Sequence, residues 1–127
     1  MNLEQLYSLV EDFYDYKIRM LYINPATNVV GGILYDSFFL ECSIDVQMNK
    51  FDAGICFNDS KYVIRDFLGK KCLSECDEDS IKKSLSIIDN YCRLRLPDKF
   101  LKEHALVYAW DNIEVMKQLG VKRFHER

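Results

Sequence analysis

Two histidines and five cysteines are the residues from which this 127-residue chain would build metal, nucleophilic or acid–base chemistry, and their spacing matches no established pattern. Cys72 and Cys76 have a separation that a metal ion tolerates, but only His104 and His125 remain to complete four ligands, and neither belongs to a zinc signature. The cysteine pair reads as two thiols beside a loop, so no metal and no cofactor is expected. His104 precedes an apolar run and His125 lies in a basic tail, among carboxylates without ordered spacing. Nucleophile elbow, P-loop, dinucleotide glycine pattern and HExxH are all absent. An enzyme remains as the alternative reading, with a site assembled from distant residues around His104 and carboxylates.

Lys61, Tyr62, Arg65, Lys70 and Lys71 faintly suggest a basic stripe, but Asp59, Asp66 and Glu75 dilute it and the sequence pI is near 5.4. That balance is the reverse of a nucleic-acid footprint, so no direct nucleic-acid binding is expected. The acids are more informative. Residues 1–60 hold nine acids against Lys17, Arg19 and Lys50, whereas residues 61–127 hold eleven acids against fourteen bases. Such asymmetry marks either a partner-binding surface or an unevenly solvated one.

The elements that must position these groups follow from apolar periodicity. Leu3, Leu6, Tyr7, Val10, Phe13 and Tyr14 predict an amphipathic helix over 2–16, with Glu4, Ser8, Glu11 and Asp15 on its opposite face. Residues 17–23 fit either a continuation of that helix or a strand. Residues 24–28 read as a turn, and 29–35 as a short strand or bulge containing Gly31 and Gly32. The strongest strand pattern is 38–48, where Phe38, Leu40, Cys42, Ile44, Val46 and Met48 alternate with residues that include Phe39, Glu41 and Asp45. A second strand is expected over 53–57, across a turn at 49–52.

Residues 61–68 fit a short helix, with a strand as the alternative. Acids at 75–79 precede a helix whose stripe is Ile81, Leu85, Ile88, Tyr91 and Cys92. After the break at Pro97, a short helical stretch over 98–103 and a strand-like run over 105–110 are expected. Asp111 and Glu114 then resemble a capping box for a helix over 112–119. The fold class is a single α+β domain over 1–127: an antiparallel sheet packed by the N-terminal helix and the helix near 80–93, with a short C-terminal helix.

No run reaches the roughly 18 apolar residues of a membrane-spanning helix, so no membrane is expected as a partner. Glu4, Glu11 and Asp12 stand where a secretory signal would be basic and then apolar. An odd number of scattered cysteines also fits a reducing compartment, and the expected location is cytoplasmic.

In overall character the chain resembles the small immunity proteins of bacterial contact-dependent growth inhibition and related polymorphic-toxin systems. The resemblance lies in its short length, acidic N-terminal half, aromatic and cysteine content, and lack of a catalytic motif. It implies a non-enzymatic protein that covers the basic active site of a cognate toxin domain, often a nuclease, with an acidic surface. Glu11, Asp15, Asp36, Glu41 and Asp45 would then supply charge, and Tyr14, Tyr35 and Phe39 would supply desolvated anchors. A self-associating adaptor, a homo-oligomer, is a further possibility.

Overall fold

The computed structural model describes residues 1–57, 66–67, 70–71, 74–118 and 120, and for Phe57, Asp66, Phe67, Lys70 and Lys71 the backbone only. Helix α1 runs over Leu3–Tyr14. Asn2 starts it with a reciprocal cap: its Oδ1 accepts from the Gln5 amide at 2.8 Å, and its own amide donates to Gln5 Oε1 at 2.9 Å. Leu6, Val10 and Tyr14 form its fully buried stripe, while Leu3, Tyr7 and Phe13 are only partly covered.

Asp15 ends α1 at a left-handed φ of 53°, and a 3-10 turn over Asp15–Lys17 leads into β1, Ile18–Asn24. The ambiguous segment is therefore a strand. Strands β2 (Val29–Leu34), β3 (Phe38–Asp45) and β4 (Lys50–Phe57) follow as an antiparallel meander. Asp66–Phe67 (β5) pairs with Lys70–Lys71 (β6), and Ser74–Glu75 (β7) closes the main sheet in the order β1-β2-β3-β4-β7. The helix or strand expected over 61–68 otherwise lies outside the described residues, as do Cys72 and His125.

Strand β3 stops at Asp45, so Val46 and Met48, expected in the core, stand 72% and 66% exposed. The reason is local. Asp45 Oδ1 accepts from the Met48 amide at 3.1 Å, and Asn49 takes a φ of 51°, so a turn forms where the alternation continues in the sequence alone. β4 consequently starts three residues earlier than the expected 53.

Helix α2, Glu78–Arg95, is capped by Asp77, whose carboxylate accepts from the Ser80 amide and hydroxyl at 2.9 and 2.8 Å. Acids in its first turn and Arg93 and Arg95 in its last both suit the macrodipole. Pro97 separates it from α3, Asp98–Tyr108. The strand expected over 105–110 is thus a correction: most of the run continues α3, with Ala105 and Ala109 buried one turn apart. A short apolar run does not by itself distinguish a buried helix from a strand. The last helix, α4, spans Ile113–Gln118, and its cap is Asn112 rather than Asp111, with Oδ1 accepting from the Val115 amide at 3.2 Å.

Helices α1 and α2 cover one face of the sheet. Leu6, Val10, Ile81, Leu85 and Ile88 pack there with Leu40, Phe51 and Ile55 in one continuous core. Tyr14, 1% exposed, donates to the Leu85 carbonyl at 2.8 Å and so ties the two helices together. Tyr14→Phe is expected to cost about 1 kcal/mol in urea unfolding, the net worth of a buried neutral hydrogen bond. Cys42 and Cys92 are fully buried, and burial pushes the Cys92 thiol up to about 12. Among the described residues no helix is long and apolar enough to cross a membrane.

Candidate functional site

Because partners in an antiparallel ladder share a face, the register determines what the sheet presents opposite its helices. Phe39 lies between Ile33 and Cys56, Glu41 between Gly31 and Gly54, Ser43 between Val29 and Asp52, and Asp45 beside Lys50. Helices α1 and α2 pack on the opposite face, and α3 meets this one at Arg19 through Tyr108. Glu41 and Asp45 are exposed, and Phe39 and Ile33 are half-buried.

Strand β1 adds Arg19 and Tyr22 through a bulge. Arg19 pairs with Ile33 and Tyr22 with Gly31, so β1 spends one residue more than β2 over this interval and both side chains reach the same face. Met20, at a φ of 56° and 74% exposed, absorbs the irregularity. A bulge there also makes the open edge of β1 a poor template for pairing with another strand.

The Tyr22 ring lies across Gly31. A Cβ on Gly31 would stand 2.6 Å from Tyr22 Oη and 2.8 Å from the Leu40 carbonyl oxygen, so the close approach needs glycine. Gly31→Ala is expected to destabilise the fold by about 1–3 kcal/mol, because Tyr22 can swing away but the backbone carbonyl cannot. Urea unfolding at constant m-value would measure it. Burial, and then the Glu41 carboxylate, push the Tyr22 phenol upward, placing it within the field of Glu41.

Charges on this face are unevenly compensated. Lys50 is bound by Glu75 at 2.6 Å as well as facing Asp45 across the ladder. Arg19 is held by Asp36 at 3.2 Å and lies over the Tyr108 ring, 4.4 Å from its centroid. Among the described residues, no cation is within ion-pair distance of Glu41. The centre of the face is therefore a carboxylate that no described cation compensates, flanked by two glycines, Phe39, Ile33 and Tyr22.

The eight residues expected to bind a partner do not share one surface. Phe39, Glu41 and Asp45 belong to the sheet face opposite α1 and α2. Glu11 and Asp15 are exposed on the α1 side, across the sheet from Glu41. Asp36 is already paired with Arg19. Tyr35 is a correction: it is 2% exposed and its hydroxyl donates to Asp89, which Lys17 also binds at 3.3 Å. It and Asp36 are the two central residues of the turn Leu34–Ser37 between β2 and β3, both at left-handed φ (52° and 53°). A side chain in that conformation costs about 1–2 kcal/mol, which burial of the Tyr35 ring and its hydrogen bond offset. Tyr14, likewise buried, is a core residue and not an anchor.

Sequence reasoning missed Tyr22, Ile33 and Gly31, and the surroundings of His104. The only available signal was the Gly31–Gly32 pair inside an apolar strand, which marks a close approach. His104, on α3, has a side chain 2% exposed, with Asp36 Oδ2 at 3.9 Å from Nε2 and the rings of Tyr16, Tyr35, Phe100 and Tyr108 around it. Among the described residues, no group of three or more His, Cys, Asp or Glu is placed to hold a metal ion. A scan against protein-family models, a search of curated proteins and a search of solved structures each found no match to this chain.

Proposed function

We propose that this protein acts by binding another protein, and that the sheet face opposite α1 and α2 is the contact surface. In the resemblance set out above, the partner is a basic toxin domain, a nuclease in many such systems, and the chain is its immunity protein. The observation that carries this reading is Glu41: an exposed carboxylate with no cation of the described residues against it, bordered by Phe39, Ile33 and Tyr22. Apolar and aromatic side chains around a charge that meets its opposite only in the complex are the composition of an interface centre. Glycines at positions 31 and 54 lower the surface beside Glu41, so an arginine or lysine of the partner can reach it.

The enzyme reading centred on His104 draws support from Asp36 and Tyr108 close to the ring, but the ring is turned inward, away from any substrate. The two readings separate in a growth experiment. Co-expression of the chain should protect cells that produce the toxin domain encoded beside it. Protection should disappear with the Phe39→Ala, Glu41→Lys double variant and persist with His104→Phe. Loss of protection only with a folded His104 variant would favour the enzyme.

A further inference from the structure

The α3–α4 corner stands on a small core of its own: Ala105, Ala109 and Met116 are buried, with Tyr16, Leu106 and Val115 packed against them. Of the apolar residues of α3, Phe100 and Leu101 pack against the main core. At the join lies His104, and neither of its ring nitrogens has a hydrogen-bond partner among the described residues. A neutral imidazole already forfeits bonds there, and an imidazolium would carry two N–H donors into the same place.

The groups facing the ring show what protonation would meet. From the β2–β3 turn come Asp36, 3.9 Å from Nε2, and Tyr35, whose hydroxyl is committed to Asp89. The 3-10 turn contributes Tyr16, α3 contributes Phe100 and Tyr108, and β1 contributes Arg19, whose guanidinium binds both Asp36 and the Tyr108 hydroxyl. Asp36 offers one acceptor, but it already serves Arg19, and Nδ1 has no hydrogen-bond partner among the described residues. We infer that His104 is an acid-operated release: protonation undocks α3 and α4 while β1–β4, α1 and α2 stay folded. Undocking removes Leu101, Lys102, Val115 and Gln118 from the wall of a cleft of about 680 Å³ and uncovers Tyr16 and Tyr35 behind them.

The sign follows from burial, which lowers the affinity of His104 for a proton more than Asp36 raises it. The docked state thus binds fewer protons than the undocked one, and docking is strongest above the ordinary histidine value of about 6.5 and weakens as pH falls below it. Trp110, the only tryptophan in the chain, lies two residues past the end of α3 and reports on the corner.

The test combines Trp110 fluorescence with amide hydrogen exchange between pH 7.5 and 5. The expected result is a red shift and at least a tenfold rise in exchange, corrected for intrinsic rates, in α3 and α4, with β3 and α2 unchanged. The response should vanish in His104→Phe and persist in His125→Gln. A response that survives in His104→Phe, a transition shared by β3 and α2, or no response at all would overturn the inference. If His104→Phe does not fold, the wild-type His104 ring-proton resonance must titrate in step with Trp110, and separate midpoints would overturn it equally.

Discussion

A lysine in place of Glu41 is expected to weaken binding of the proposed basic partner by about 2–5 kcal/mol, roughly thirtyfold to several thousandfold in Kd. Two contributions add. The variant loses the attraction between the carboxylate and the partner's cation, and it sets two like charges against each other in a desolvated contact. Most of the loss should appear in the dissociation rate, because the position is central and not on the rim. The fold should tolerate the change. Glu41 is exposed, makes no ion pair with a described residue and is flanked by Gly31 and Gly54 across the ladder, so unfolding should shift by no more than about 0.5 kcal/mol. Calorimetric titration beside urea unfolding separates the two quantities.

Phe51→Ala is expected to cost about 3–5 kcal/mol of folding stability, the usual range for removing a buried phenylalanine. Phe51 is fully buried on β4, opposite Ile44 in register, in the core that joins α1, α2 and the sheet. It is also one of two β4 residues that pair with β7, so the cavity opens where the last strand attaches. A loss of that size is a large part of the 5–15 kcal/mol typical of a domain, and the variant should populate unfolded chains at modest denaturant. Guanidinium unfolding would show a lower midpoint at an unchanged slope.

The layered architecture was legible because two periodicities were clean. Leu6, Val10 and Tyr14 recur as a helix requires, and Phe38 to Ile44 alternate as a half-buried strand requires. Failures occurred where a single residue changed the phase. In β1, Ile18, Met20 and Tyr22 alternate in sequence, yet the bulge at Met20 separates buried Ile18 from outward Tyr22. In α3, Ala105 to Tyr108 are too few residues to reveal their period.

For the site, alternation alone placed Phe39, Glu41 and Asp45 on one face, and that survives. Whether Asp36 or Tyr35 was available to a partner depended on Arg19 and Asp89, which lie 17 and 54 residues away along the chain. No local pattern carries that information. The side of the sheet on which α1 packs is equally non-local, and it removes Glu11 and Asp15 from the surface of Glu41.

The most direct test is capture by immobilised wild-type protein, Glu41→Lys and Glu11→Lys, from an extract of the cells that make it. A basic protein retained by wild type and by Glu11→Lys but lost with Glu41→Lys is the predicted outcome. Equal retention by all three, or loss with Glu11→Lys alone, would contradict a binding surface centred on the sheet.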